Sequence, residues 1–269
     1  MNIKQKEIKE IVKEKYSQIA NQSKQQNETS CCGSGGCCET DYTVFSENYD
    51  HLEGYHADAD LGLGCGIPTK YTHIKSGDTV LDLGSGAGND CFVVRALVGD
   101  TGKVIGIDFS DTMLDQARRN AEKLGYDNVD FIEGDIEDIP VPPDSVDVVV
   151  SNCVLNLVPD KIKAFSGIYK VLKPGGSFSI SDVVLQGELP QELMESAEMY
   201  AGCVAGAIEK EIYLDIIDQT GFRNIEVPIM KEIDLPDEVL KNFFKDDDIR
   251  KFRESDVGIY SITVTANKP

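Results

Sequence analysis

The chain has 269 residues, 41% of them hydrophobic and 27% charged, enough for one full core and a further small lobe. Its 47 acidic against 26 basic residues give a formal net charge of -21, which excludes nucleic acid as a partner, because holding a phosphate backbone needs clustered Lys and Arg. No stretch approaches the roughly 20 apolar residues of a membrane span, and the opening MNIKQKEIKE lacks the apolar core of a secretory signal. The expectation is a cytoplasmic monomer with no membrane partner.

Residues 2–20 carry Ile3, Ile8, Ile11, Val12, Tyr16 and Ile19 at helical spacing among Lys and Glu, which predicts an amphipathic helix capping the main domain. From Asn21 to Thr40 the composition turns to Asn, Gln, Ser, Gly and Cys, the signature of a mobile linker. Cys31, Cys32, Cys37 and Cys38 sit inside it. In a reducing cytosol, eight cysteines point to metal or redox chemistry rather than to a disulfide framework. The other four, Cys65, Cys91, Cys153 and Cys203, lie far apart and need a separate explanation.

After Thr79, apolar runs rich in β-branched residues alternate with helical stretches. VLDLG is followed by a helix through Val93 and Leu97, VIGIDF by a helix from Thr112 to Leu124, and VDFIEGD by VDVVVSN, a helix from Asp160 to Leu172, and SFSISDVV. The alternation predicts a doubly wound α/β fold, a mainly parallel sheet with helices on both faces. IEVPIM and YSITVTA supply the closing strands, the last an antiparallel edge strand. Between them and SFSISDVV lies a small-residue-rich helical stretch with MYAGCVAGAI, whose first part is expected to be a lid. The expected division is a helix and Cys-rich linker over 1–40, a cofactor-binding domain over 41–185, and a lid with the closing strands over 186–269.

Asp82-Leu83-Gly84-Ser85-Gly86-Ala87-Gly88 follows an apolar strand and opens a helix. Gly84, Gly86 and Gly88 allow a tight turn and close approach of backbone to a ligand. Alone, such a loop serves dinucleotide enzymes equally well. Asp108 ends the next strand about 20 residues beyond Gly88, the separation at which a carboxylate accepts both ribose hydroxyls. Asp82 and Asp135, at the ends of the first and third strands, should line the same crevice. A carboxylate such as Asp82 repels a pyrophosphate but favours the ammonium and sulfonium of S-adenosylmethionine. Asp135 suits the adenine amino group, with Ile136 and Met113 sandwiching the ring, although Met113 fits simple helix packing equally well. VLDLGSGAG, Asp108, GDIED and LKPGG together resemble the class I S-adenosylmethionine methyltransferases across residues 65–185, a Rossmann-like fold.

Methyl transfer is an in-line displacement, so the acceptor must reach the crevice mouth. Cys153, in SNCVLNLV, follows the fourth strand, Cys65 lies in LGLGCGIPT before the first, and Cys203 lies in the expected lid. Glycines flank Cys65 and Cys203, and Asn152 and Asn156 flank Cys153, which permits close approach of a ligand; Asn152 is counted among the cofactor contacts. Taken singly, each cysteine is equally readable as a small buried hydrophobe, and for Cys91, beside Phe92 and Val93, that reading is preferred. Three converging thiols suit a soft centre, whereas zinc would ask for a fourth ligand. His51, His56 and His73 are expected at solvated loop positions.

LGLGCG, VLDLGSGAGNDCFVVRALVG, SNCVLNLVPDK and AGCVAGA resemble the arsenite S-adenosylmethionine methyltransferases over nearly the whole chain. That resemblance implies that Cys65, Cys153 and Cys203 bind trivalent arsenic, with glutathione or thioredoxin as thiol reductant and one of Cys31, Cys32, Cys37 or Cys38 as a relay or disulfide partner of Cys65. The chain departs from some members in having Leu63 where they carry an aromatic residue, which leaves one cofactor contact open. It also ends soon after the last strand, where longer members continue, so their extra domain is expected to be unnecessary here. The rival readings are a methyltransferase of a small organic acceptor such as a quinone, and a thiol-rich metalloid sensor or scavenger working through CCGSGGCC.

Overall fold

The computed structural model describes residues 3–21, 47–187, 206–234, 237–241, 244–255 and 257–269. Cys203, most of the expected lid, and Cys31, Cys32, Cys37 and Cys38 fall outside the described residues. A first helix, α1 (Ile3–Ile19), precedes β1 (Thr79–Leu83), α2 (Asn89–Val98), β2 (Lys103–Asp108), α3 (Asp111–Leu124), β3 (Val129–Glu133) and β4 (Val146–Asn152). There follow α4 (Lys161–Val171), β5 (Leu172–Gln186), α5 (Lys210–Thr220), β6 (Arg223–Glu232), the short α6 (Asp237–Leu240) and α7 (Asp246–Arg253), and β7 (Gly258–Asn267).

The seven strands form one sheet in the order β3-β2-β1-β4-β5-β7-β6. Neighbours from β3 to β5 pair in parallel, and β7 is antiparallel to both β5 and β6. The antiparallel strand expected at this end of the sheet is thus present, one place in from the rim, with β6 outside it. Strand burial agrees: β1, β2 and β4 are buried almost throughout, as helices on both faces require, while β6 is mostly exposed. LKPGG continues directly from α4 into β5. The register steps from Val146 opposite Leu172 to Val148 opposite Ser177, so the extra residues bulge out of the ladder.

Local signals set the helix ends. Ser110 caps α3 by accepting from the Met113 N–H, and Gly125 closes it in a left-handed conformation; Asp160 caps α4 by accepting from Lys163. Both are ordinary helix stop and start devices. On α3, Met113, Leu114, Ala117, Asn120 and Ala121 are the buried residues, a single face at helical spacing. Beneath α4 and α5, Phe165, Phe178, Tyr213 and Phe222 pack edge-to-face or tilted, with centroids 4.8–5.9 Å apart. The chain reverses direction across the sheet between β1 and β4, so a crevice opens at their carboxyl ends, where sheets of this kind bind ligands.

Candidate active site

The glycine loop leaves β1 at this crevice and is tied to β2, since the Gly84 and Ser85 N–H groups both donate to the Ile107 carbonyl, at 2.8 and 2.9 Å. Gly84 has φ +71, and a Cβ there would lie 2.4 Å from a methyl carbon of Val154. The loop therefore rests against the residue that follows Cys153. At Gly86 the nearest heavy atom to a Cβ would be the Met113 sulfur at 3.9 Å, so this glycine faces open space in the crevice. Asp108 holds the loop's far side: one carboxylate oxygen accepts from the Gly86 N–H at 3.0 Å and the other from the Ser110 N–H at 2.8 Å. Burial raises its pKa, and these backbone donors work in the opposite direction.

Five carboxylates line the crevice: Glu47, which is paired with Lys231, and Asp60, Asp82, Asp90 and Asp108. Burial pushes the Asp82 carboxyl well above the ordinary carboxylate value, and the charge of Asp90 adds to this. The Cys91 thiol donates to Asp82 at 3.2 Å, so Cys91, a core residue as expected, also touches the floor of the site. Asp90 is raised to about 6 by burial, while hydrogen bonds from Asn152 and Tyr49 pull it down. No Lys or Arg among the described residues lines the crevice. The Ser85 Oγ and Asn89 Oδ1, both on its wall, are buried without a partner among the described residues. Unsatisfied polar atoms beside an anionic hollow suit a polar, cationic ligand, and S-adenosylmethionine fits this set.

Helix α1 lies across the opening. Val12 and Tyr16 contribute to its wall, Lys9 donates to Asp135 at 2.6 Å and Glu137 at 2.9 Å, and the Ser17 and Ser110 hydroxyls are 3.0 Å apart. Of the residues expected to hold the cofactor, Asp82, Gly84, Gly86, Asp108, Met113 and Asn152 line the crevice, and Gly88 sits at its back as the left-handed N-cap of α2. Asp135 and Ile136 line a neighbouring hollow that shares Val12, Phe109, Val154 and Leu157 with the crevice. Met113 and Ile136 therefore do not face one another across a single cavity, and the Asp135 carboxylate is engaged by Lys9.

Cys65 and Cys153 are buried thiols, 2% and 3% exposed, and share one apolar cluster with Leu157, Val183, Leu185 and Ile259. Cys153 opens on the crevice, whereas Cys65 opens on a smaller hollow with Lys70, Tyr71, Lys231 and Ser261. Cys153 holds a left-handed backbone at φ +59, uncommon for any residue but glycine and a mark of a locally over-determined site; its N–H donates to the Ser181 carbonyl at 2.7 Å. Asn152 joins the two halves. Its Oδ1 accepts from the Cys65 N–H at 3.0 Å, and its Nδ2 donates toward the Gly66 carbonyl, Tyr49 Oη and Asp90 at 2.8–3.0 Å. Behind the thiols, Asp182 accepts from the Tyr213 hydroxyl at 3.0 Å and is raised to about 6 by burial, with Lys161 opposing. None of His51, His56 and His73 lines the hollows to which the two thiols belong.

Residues 74–221 match the family model described as a methyltransferase domain, more than half of the chain. The arsenite methyltransferase of Halobacterium salinarum is 40% identical over 98% of this chain and 67% of its own length. The chain belongs to the arsenite methyltransferase family. Another member, from Aquipseudomonas alcaligenes, is 32% identical over 86% of this chain and 66% of its own. The crystal structure of an arsenic(III) S-adenosylmethionine methyltransferase from Chlamydomonas reinhardtii superposes with a TM-score of 0.63 at 34% identity, covering 75% of this chain and 66% of that one. This chain spans about two thirds of the length of these family members.

For a methyltransferase of this family, sequence reasoning missed Tyr49, Asp60, Asp90, Lys161 and Asp182. Asp90 was the most accessible of these, standing beside Cys91 in the first turn of α2, where a carboxylate complements the helix dipole. Tyr49 carries no local signal, because its partners come from distant segments, and Lys161, although bonded to the nearby Asn156 and Val158 carbonyls, stands in no pattern that marks it as buried.

Proposed function

We propose that the chain transfers a methyl group from S-adenosylmethionine to trivalent arsenic held by Cys65, Cys153 and Cys203. The observation that carries this reading is the joining of Cys65 and Cys153, far apart in sequence, in one buried cluster whose Cys153 end opens on the acidic crevice of the glycine loop. When bound, S-adenosylmethionine supplies a methyl group on a positively charged sulfur, which departs as a neutral thioether. Asp82 and Asp90 favour that positive charge, Asp108 takes the ribose, and Ser85 and Asn89 offer their unpartnered atoms to polar groups of the ligand. The thiolates exchange for the oxygens of arsenite and leave the arsenic lone pair directed at the methyl carbon. No general base is needed, because the nucleophile is a lone pair and not an O–H or N–H group.

Each transfer raises arsenic formally from the trivalent to the pentavalent state. Two electrons from a thiol pair, supplied by glutathione or thioredoxin with a cysteine of the 31–38 cluster as relay, restore it. The enzyme is proposed to act in the cytoplasm as a monomer on a small molecule, without nucleic acid or membrane. In support, no helix among the described residues is long and apolar enough to cross a membrane, and Leu97, Ile162, Ile212 and Met230, the exposed large apolar side chains among them, are scattered over four elements. The test is production of S-adenosylhomocysteine with excess glutathione, with and without arsenite, the arsenic species being separated by chromatography. Methylarsenicals formed only when both substrates are present support the reading; cofactor binding without arsenite-dependent turnover refutes it in favour of a small organic acceptor.

A further inference from the structure

We propose that Asn152, with Tyr49 and Asp90, is a positioning relay that couples cofactor occupancy to the geometry of the two thiols. This deepens, and rests on, the reading that Cys65 and Cys153 hold arsenic. Asn152 is the chain neighbour of Cys153, yet its side chain grips the backbone of the other thiol residue: Oδ1 takes the Cys65 N–H and Nδ2 reaches the Gly66 carbonyl. Tyr49 Oη lies 2.9 Å from the same carbonyl and 2.8 Å from Asp90, and its single proton serves one of the two at a time; the Ser261 hydroxyl donates to the Cys65 carbonyl. The loop is pressed onto the amide so closely that a Cβ on Gly64 would lie 2.5 Å from Nδ2. These contacts fix the peptide groups on both sides of the Cys65 thiol and use none of its sulfur.

The other end of the relay is a carboxylate. Asp90 accepts from Tyr49 Oη at 2.8 Å and from Asn152 Nδ2 at 3.0 Å, and it lines the crevice beside Asp60 and Asp82. A cation in that crevice favours the ionised form of Asp90, which is the stronger acceptor for both donors. Ligand binding thereby draws the Tyr49 proton and one Asn152 N–H to Asp90, which fixes the amide with its Oδ1 on the Cys65 N–H. Because coupling between two sites is reciprocal, arsenic on the thiols must strengthen cofactor binding by the same factor. Binding of methyl donor first would then hold the acceptor thiols in register before arsenic arrives.

The probe is phenylarsine oxide, which closes on thiol pairs, titrated calorimetrically with and without sinefungin, a cationic analogue that transfers no methyl group. Wild type is expected to bind the probe about fivefold or more tightly when sinefungin is present. Asn152→Ala is expected to lose about tenfold in probe affinity without sinefungin, from two backbone hydrogen bonds, and to lose the sinefungin effect. A variant that binds the probe as wild type does, with the same sinefungin factor, overturns the relay. So does loss of sinefungin binding with probe affinity in its absence unchanged, which would make Asn152 a cofactor contact only. Tyr49→Phe, which keeps the ring and removes the hydroxyl, covers a misfolded Asn152→Ala: it must reduce the sinefungin factor, and an unchanged factor also overturns the relay. Cys65→Ser separates the two readings when all the proteins carry Ser in place of Cys31, Cys32, Cys37 and Cys38, so that the probe cannot close on that cluster: probe affinity unaffected by Cys65→Ser then defeats the thiol-pair reading itself.

Discussion

The contact between Gly84 and Val154 links the cofactor loop to the acceptor loop, and a double-mutant cycle measures it. Gly84→Ala incurs two separate costs. A left-handed backbone, φ +71 here, costs a residue with a Cβ about 1–2 kcal/mol. The new methyl would also lie 2.4 and 2.7 Å from the two methyl carbons of Val154, an overpacking that costs about 1–3 kcal/mol. The sum, about 2–5 kcal/mol, corresponds in a chain of this size to a fall in Tm of roughly 10 °C. Val154→Ala removes both methyl carbons and leaves the backbone strain with one tight contact, the Val154 Cβ at 3.0 Å, so in that background the cost of Gly84→Ala should fall toward about 1–2 kcal/mol. Urea unfolding of the four proteins therefore gives a favourable coupling of about 1–3 kcal/mol, and S-adenosylhomocysteine affinity lost in the single variant returns in the double. Additivity within about 0.5 kcal/mol would refute the claim that the two loops are in repulsive contact on substitution.

Gly86→Ala should behave differently, because its Cβ meets nothing closer than 3.9 Å: stability falls by about 1–2 kcal/mol from its positive φ alone, while calorimetry shows a larger loss of cofactor affinity than that strain explains. Cys153→Ser is expected to abolish arsenite-dependent turnover and leave S-adenosylmethionine binding intact; full activity by product chromatography would remove the three-thiol reading. Binding of S-adenosylmethionine should release protons, because Asp90, raised to about 6 in the unliganded protein, ionises beside a cation. Affinity then rises with pH through the region of that pKa and levels off above it, and calorimetry at pH 6 in two buffers of different ionisation heat reads the released proton directly. Lys161→Met leaves the carbonyls of Asn156, Val158 and Gly206, now bonded at 3.0–3.2 Å, without their buried donor and should cost about 2–4 kcal/mol in urea unfolding.

The strands, helices and glycine loop were legible because their signals are local. Period-two and period-3.6 patterns, a cap such as Ser110 and a stop such as Gly125 each act within a few residues. The order of the last two strands was not: β7 inserts between β5 and β6, and no residue within it states which neighbour it will take. The same limit applies to the site. Asp82, Gly84, Gly86 and Asp108 follow one another along consecutive strand ends, so their convergence follows from topology alone. Asn152 was placed at the crevice correctly, but its grip on Cys65 joins residues 87 positions apart, and Tyr49 reaches Asp90 from a segment with no periodic pattern. Asp135 shows a long-range effect of the same kind. Its position at the end of β3 is as expected, but Lys9 of α1 takes its carboxylate, a long-range ion pair that the local sequence does not declare.

The charge of the crevice selects for both reactants at once. With five carboxylates and, among the described residues, no cationic side chain on its wall, it favours a ligand whose sulfur is positive over the product whose sulfur is neutral. A pair of unit charges about 4 Å apart at an effective dielectric of about 20 has a gross interaction near 4 kcal/mol, reduced by desolvation of the carboxylates; even a tenth of that shifts affinity measurably. Methyl transfer removes the sulfonium charge, so the same carboxylates that hold the donor weaken their hold once the reaction is complete. An acceptor approaching the Cys153 end must cross the same negative field. Uncharged trivalent arsenic hydroxide, or a neutral thiol exchange product, does so at little cost, whereas an oxyanion is repelled. The acidity of the crevice thus sorts acceptors by charge, before the thiols, in the role proposed for them, sort them by softness.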